Sequence, residues 1–212
     1  IFGIRRGFSQ IYGLDLPIFL GAGIVTYTLF RSIGIRSVSA MEANQALFYY
    51  KRVKPIDTVI ARAIVETLCY GIIYLTIYLA YSLFVDQWVL DDLPLLLICY
   101  LSMSVLGTGI GLVLMTCGYR YNFTKFVLPI FFRPLFFISG VFFSIQNFPQ
   151  WIRPWLSWNP ILHAIELSRK AFSYKYSLDH LISLNYLIIS SITILTLGLL
   201  VYVNNERILL TR

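Results

Sequence analysis

The sequence predicts an all-α protein that crosses a membrane several times, and two observations support this fold class. Hydrophobic residues make up 58% of the 212 residues and charged residues only 13%, with a mean hydropathy of +0.74. A soluble domain of this size does not bury so much apolar surface. The apolar runs are also long and continuous, as helical spans require, whereas a membrane barrel would show short alternating segments.

The uncharged runs predict five crossings. A span needs roughly 20 apolar residues, and the runs at 67–85, 93–119 and 180–205 satisfy this. The run after Asp15 stops at Arg31, so we expect that helix to continue with Arg31 snorkelling or facing protein. The run at 126–152 contains one charge, Arg133. The predicted spans are 16–38, 58–85, 93–117, 126–144 and 180–203.

The chain begins at IFGIRRGF without Met. We interpret residues 1–4 as the end of an earlier span, which gives five spans in this sequence and six in the presumed full chain. The positive-inside rule sets the orientation. One side would carry ten Lys and Arg against four acidic residues, so we place that side, with the C-terminus, in the cytoplasm.

The net charge of +7 does not indicate nucleic-acid binding, because the basic residues are scattered between apolar runs. They are concentrated only in the stretch MEANQALFYYKRVKPIDT at 41–58. One part of this stretch, NQALFYYKRV, predicts a short amphipathic element on the membrane surface. Pro55 would end that element, and Asp57 or Thr58 would cap the next helix. The residues alone leave open whether this is a basic loop drawn to anionic lipid or a docking surface.

Arg133 in PIFFRPLFF is the most informative single residue of the spans. An arginine inside a span is costly unless it meets water or a partner, so we expect it to face a cavity or the bundle interior. Pro129 and Pro134 loosen the helix around it. One interpretation is a guide for an anionic substrate, and the other is a structural ion pair, for which Glu66 is a candidate.

The region after the fifth predicted span is rich in tryptophan. Trp151, Trp155 and Trp158 are typical of a membrane interface, and aromatic faces also stack on sugar rings. Downstream, His163, Glu166 and Arg169 share one helical face. A catalytic metal needs three or more ligands, which this pattern does not offer, so an ion-paired helix is the simpler interpretation.

Two further patterns concern packing and energy supply. Gly107 and Gly111 form a small-xxx-small face that allows close helix contact, either inside one subunit or between two.

The sequence has no Walker lysine loop, GxSxG or HExxH motif, so ATP, if used, would bind another chain.

EANQALFYYKRVKPIDTVIARAIVET, VLPIFFRPLFFISGVFF and WNPILHAIELSR together resemble the inner-membrane permease subunit of bacterial capsular polysaccharide ABC exporters, in the type 2 exporter superfamily. The resemblance implies a cytoplasmic coupling helix at 42–54 that sits in a cleft of an ATPase subunit. It also implies external re-entrant short helices at 145–178. The implied coupling residues are Glu42, Gln45, Phe48, Tyr49, Tyr50, Lys51, Arg52, Lys54, Pro55 and Asp57. The candidate pathway or gate residues are Arg133, Trp151, Trp155, Trp158, His163, Glu166 and Arg169.

The resemblance also implies partners. We expect a second copy of the chain, two ATPase subunits that bind ATP and Mg, and a lipid-linked polysaccharide as substrate. Periplasmic and outer-membrane export proteins are further candidates, and the location would be the inner membrane of a Gram-negative bacterium. The chain itself is expected to bind no cofactor and no metal.

Three alternatives remain at this stage. An O-antigen or teichoic acid exporter would have the same architecture. A membrane-embedded transferase acting on lipid-linked sugars would need no ATPase partner. A passive channel would need a continuous polar face on several spans, and polar residues within the spans are sparse.

Overall fold

The computed structural model describes residues 10–11, 13–45, 53–86, 90–121 and 123–210. An antiparallel hairpin of β1 (Gln10–Ile11) and β2 (Leu14–Asp15) comes first. The long helices are α1 (Leu16–Val38), α3 (Pro55–Val85), α4 (Leu93–Arg120) and α8 (Leu184–Leu210). The shorter ones are α2 (Ala40–Ala43), α5 (Thr124–Ile138), α6 (Arg153–Leu156) and α7 (Pro160–Phe172), with a 3-10 turn at Ile145–Asn147.

The fold class predicted from composition is confirmed: apart from the small hairpin, the described elements are helices. Within the described residues, four helices are long and apolar enough to cross a membrane, namely α1, α3, α4 and α8 up to Glu206. Residues 1–4, predicted as the end of an earlier span, lie outside the described part of the chain.

The fifth predicted span, 126–144, differs from the structure. Helix α5 contains 15 residues and ends at Ile138. At about 1.5 Å per residue it is about 22 Å long, less than the roughly 30 Å of a hydrocarbon core. Gly140 follows with a φ of +73°, a left-handed conformation that turns the chain away from the helix direction. A fifth crossing therefore stays a prediction.

Glycines bring α4 close to α1 and to α8. A Cβ on Gly107 would lie 3.3 Å from Ile33 Cβ of α1, and one on Gly111 would lie 2.7 Å from Ser37 Oγ. The predicted small-xxx-small face is thus used for packing inside the subunit. On the other side, a Cβ on Gly198 of α8 would lie 2.3 Å from the Gly109 carbonyl oxygen of α4.

Helix α7 is a core helix of the described structure. All but two of its thirteen residues are buried, in contact with α1, α4 and α8. The side chain of Asn159 accepts a hydrogen bond from the Ile161 backbone N–H over 3.0 Å, and Pro160 occupies the first turn. These are common helix-start features, so the WNP sequence fixes where α7 begins. The re-entrant character of 145–178 stays a prediction.

Candidate coupling site and translocation surface

The predicted coupling residues that the structure describes lie where α1, α2, α3, α5 and α8 meet at one end of the bundle. We use the name coupling segment for residues 42–57. Glu42 and Gln45 are exposed at its start, and Lys54 and Asp57 are exposed at its end. The central residues predicted for the same role, Phe48, Tyr49, Tyr50, Lys51 and Arg52, lie outside the described residues.

Ion pairs tie both described ends of the coupling segment to other helices. Glu42 pairs with Lys125 in the first turn of α5. Lys54 Nζ lies 3.0 Å from Glu206 Oε1, near the end of α8. The coupling segment is therefore connected by charge to two helices that are distant from it in sequence.

The second end of the segment is also a well-formed helix start. The Lys54 backbone N–H donates to Asp57 Oδ2 over 2.8 Å, so the capping predicted for Asp57 or Thr58 falls to Asp57. The Thr58 hydroxyl donates instead to the Pro55 carbonyl oxygen over 2.7 Å. Pro55 has no N–H to satisfy, which makes the first turn a favourable position for it. Helix α3 thus begins within the coupling segment, with its first turn capped by Asp57.

A cavity of about 410 Å³ lies between the coupling segment, α1 and α3. Beside it, Arg36 Nε lies 3.1 Å from the buried Glu66 Oε1. Arg62 Nη1 donates to the Arg36 carbonyl oxygen over 3.2 Å. The alternative that Glu66 pairs with Arg133 is therefore wrong, because Arg36 of α1 takes that carboxylate. Nothing in the sequence spacing indicates this pairing between α1 and α3.

Arg133 does not face the interior of the chain, which was one of the two surroundings expected for it, and the other, a cavity, stays a prediction. It is exposed on α5, while the preceding Phe132 is 5% exposed and packs against α1. The Tyr27 hydroxyl donates to the Phe132 carbonyl oxygen over 2.5 Å. The Phe30 and Phe132 ring centroids are 5.8 Å apart. Because Phe132 takes the buried side of α5, the next residue points away from the bundle.

The three tryptophans predicted at the membrane interface are exposed. Trp151, Trp155 and Trp158 have relative exposures of 74%, 78% and 78%. The Tyr186 hydroxyl of α8 donates to the Trp158 carbonyl oxygen over 2.8 Å, which fixes that part of the backbone. Exposed indoles fit both a membrane interface and a sugar-stacking surface, so their role in the pathway stays a prediction.

Arg169 is fully buried and anchors several segments. Its Nη1 lies 3.0 Å from Glu166 Oε1, and its guanidinium carbon lies 3.6 Å from the centroid of the Phe19 ring. It donates to the carbonyl oxygens of Phe19, Phe143 and Val141 over 3.3, 3.2 and 2.7 Å. The side chain therefore joins α7 to α1 and to the turn that follows α5.

The Glu166 carboxylate accepts hydrogen bonds from the surrounding loops as well as from Arg169. The Tyr176 hydroxyl donates to its Oε2 over 2.7 Å, and the Ile145 N–H donates to its Oε1 over 3.3 Å. Ser144 Oγ lies 3.4 Å from Oε2. We call Glu166, Arg169, Tyr176 and Ser144 the α7 polar cluster. Sequence spacing indicated the first two residues and gave no signal for the other two.

His163 is buried and held as a neutral ring by two backbone groups. Its Nε2–H donates to the Ser157 carbonyl oxygen over 2.7 Å, and the Ser183 N–H donates to Nδ1 over 3.0 Å. Burial lowers the pKa of His163 below its ordinary value. Among the described residues, no group of three or more His, Cys, Asp and Glu could hold a metal ion. The three predicted residues of this face thus lie in the core of the chain, and their role in a pathway or gate stays a prediction.

Comparisons with known proteins agree with the resemblance seen in the sequence. The family described as ABC-2 type transporter matches residues 2–173. The polysialic acid transport protein KpsM of Escherichia coli is 38% identical over 198 residues, covering 93% of this chain and 76% of that protein. The capsule polysaccharide export inner-membrane protein CtrC of Neisseria meningitidis serogroup A is 25% identical, covering 91% and 72%. BexB of Haemophilus influenzae, with the same description, is 24% identical, covering 90% and 72%.

Proposed function

Because this chain belongs to the ABC-2 type transporter family, we propose that it is the membrane-spanning subunit of an ATP-driven capsular polysaccharide exporter. It would move a lipid-linked polysaccharide from the cytoplasm to the periplasm across the inner membrane of a Gram-negative bacterium. The cargo and the location are inferred from the names of KpsM, CtrC and BexB. The chain would act in transport and not as an enzyme.

The observation that carries this proposal is the attachment of the coupling segment at both of its described ends. Glu42 is paired with α5 and Lys54 with α8, while Asp57 joins the segment to the first turn of α3. A push on the segment would therefore reach three helices together. This is the connection that a transporter needs if its energy source is a separate soluble chain.

The partners are inferred from membership of the ABC-2 type transporter family and from the resemblance seen in the sequence. Two ATPase subunits would bind ATP and Mg and close against the coupling segments of two copies of this chain. One of these ion pairs holds the end of α2 to the start of α5, and the other holds the start of α3 to the end of α8. If that end of the bundle is cytoplasmic, as the basic residues indicate, the end of α8 is cytoplasmic too.

The experiment that tests this is copurification followed by an activity assay. A tagged full-length chain should bring down an ATPase in equal amount and should restore capsule export to a strain that lacks its own permease. Replacing Phe48, Tyr49 and Tyr50 together with Ala should abolish polysaccharide-stimulated ATP hydrolysis while leaving membrane insertion unchanged.

A control triple variant, Ile72→Ala, Leu75→Ala and Leu79→Ala, changes exposed apolar residues of α3 and should keep the stimulation. Normal stimulation in the Phe48–Tyr50 variant would refute the coupling role. Turnover of a lipid-linked sugar by the purified chain without any ATPase would refute the exporter assignment.

A further inference from the structure

Two arginines inside the apolar helices are exposed on the same part of the molecule. Arg31 of α1 and Arg133 of α5 both face outwards, and neither forms an ion pair with any residue that the structure describes. Arg31 is seven residues from the end of α1 and Arg133 nine from the start of α5. At about 1.5 Å per residue, both lie about 10–14 Å from the coupling-segment end of the bundle.

The packing of α1 against α5 places the two arginines on one side of the helix pair. Tyr27 contacts Phe136 with ring centroids 5.0 Å apart, and Phe30 contacts Phe132 at 5.8 Å, so the helices are antiparallel. Arg31 directly follows Phe30, and Arg133 directly follows Phe132, the two residues of the second contact. In right-handed helices that run in opposite directions, the residues after such a contact rotate towards the same side. Their exposure agrees with this geometry.

The surroundings of the pair are aromatic and apolar. Phe126, Ile130 and Phe137 lie on the same face of α5 as Arg133 and have exposures of 76%, 64% and 56%. In the apolar part of a bilayer, an arginine without a counter-charge has a high free-energy cost, and a second cation beside it raises that cost. The carboxylates of Glu66 and Glu42 are already paired with Arg36 and Lys125. No described carboxylate therefore neutralises this face, which leaves both guanidinium groups open to an anionic ligand.

We propose that Arg31 and Arg133 form one cationic site that binds carboxylate groups of an acidic polysaccharide on its way across the membrane. The inference rests on the proposed exporter function and deepens it by naming the two residues that would bind the acidic groups of such a cargo. Guanidinium groups bind carboxylates through paired N–H donors, and the neighbouring aromatic rings offer flat surfaces for sugar rings. The site adds Arg31, for which the sequence analysis predicted only snorkelling or contact with protein.

The test uses the complex of the full chain and its ATPase in nanodiscs of phosphatidylcholine. ATP hydrolysis is measured against the concentration of polysialic acid and of the same polymer with its carboxyl groups reduced to alcohols. Arg31→Gln and Arg133→Gln should each raise the half-stimulating concentration of the acidic polymer by about tenfold, because each removes a charge-assisted contact. The reduced polymer should act equally on all variants.

Matched variants separate charge from packing. Arg31→Lys and Arg133→Lys keep the cation and should retain most of the preference for the acidic polymer. Arg120→Gln changes an exposed arginine at the end of α4 and should have no effect. Thermal stability and ATPase copurification of each variant confirm that the complex has assembled.

Two outcomes would overturn the site while leaving the exporter assignment in place. One is an unchanged ratio between acidic and neutral polymer in both Gln variants. The other is an effect of the variants that appears with phosphatidylglycerol nanodiscs in the absence of polymer, which would assign the arginines to lipid headgroups. Absence of stimulation by either polymer in the unmodified complex would overturn both the site and the exporter function.

Discussion

Lys54 Nζ lies 3.0 Å from Glu206 Oε1, so the residue that precedes α3 is joined to the last turns of α8. This contact connects the coupling segment to a helix that begins 130 residues later, at Leu184. If the segment couples to an ATPase as proposed, this contact would carry its movement to the end of α8.

Reversing this ion pair tests whether it transmits movement. Lys54→Glu and Glu206→Lys should each lower the transport rate by about two- to fivefold, because like charges would then face each other. The double variant should recover most of the rate. Export is measured by capsule at the cell surface, with Arg120→Ala as the control. A double variant no better than either single one would contradict a pairwise role.

Breaking the α7 polar cluster should destabilise the protein strongly. Arg169→Met leaves the Glu166 carboxylate buried without its cation, which costs about 3–5 kcal/mol. For a chain of this length the midpoint of thermal unfolding should fall by about 10 °C. Combining Arg169→Met with Glu166→Gln should recover part of the loss, because no uncompensated charge remains.

The control for this cluster is Lys170→Met, since Lys170 is the next residue on α7 and donates only to loop carbonyl oxygens. It should change the midpoint little. If Arg169→Met were as stable as Lys170→Met, the cluster would not anchor the fold.

The contact of α4 with α8 should not tolerate a methyl group. Gly198→Ala would place a Cβ 2.3 Å from a backbone oxygen that cannot rotate away. We expect a loss of about 3 kcal/mol, at the upper end of the usual range for overpacking. Gly71→Ala is the matched control on α3, where the nearest atom, Tyr100 Oη, would be 3.5 Å away. Thermal unfolding in detergent compares the two, and equal stability would contradict the close contact.

His163 should make the protein sensitive to mild acid. Helix α7 lies outside the four candidate spans, and burial holds the pKa of His163 below the ordinary 6.5. The unfolded chain therefore binds a proton at a higher pH than the native protein does. Stability should be fully present above pH 6.5 and should decrease as the pH falls below it.

His163→Gln can keep both hydrogen bonds and should flatten this pH dependence between pH 7.5 and 5.5. His180→Gln is the control, because the His180 side chain is 85% exposed. The measurement is the unfolding midpoint at each pH. The same slope in His163→Gln as in the unmodified protein would assign the acid sensitivity to other groups.

The sequence was informative where local chemistry decides the structure. Helix α1 occupies the predicted range, 16–38, because Asp15 and Pro17 mark its start. Helix α3 begins at Pro55, three residues before the predicted span, because proline is itself a favourable first residue. The end of α5 was missed because an apolar run continues to Phe143, whereas the backbone turns at Gly140.

The site was less predictable because its contacts join distant parts of the chain. The spacing of Glu166 and Arg169 indicated an ion pair, but their burial depends on Phe19, Val141 and Tyr176. Likewise, the charge of Arg133 was visible in the sequence, whereas its outward direction depends on Phe132 packing against α1. Periodicity gives the face of a helix but not which neighbour covers it.

The short length of α5 has a consequence for the lipid beside it. If α5 forms the predicted fifth crossing, it is about 8 Å shorter than the hydrocarbon core, and local thinning of the bilayer is one response to such a mismatch. The thinned region would border the face that carries Arg133. A hydrated sugar chain passing there would meet a narrower apolar barrier than at any of the four longer helices.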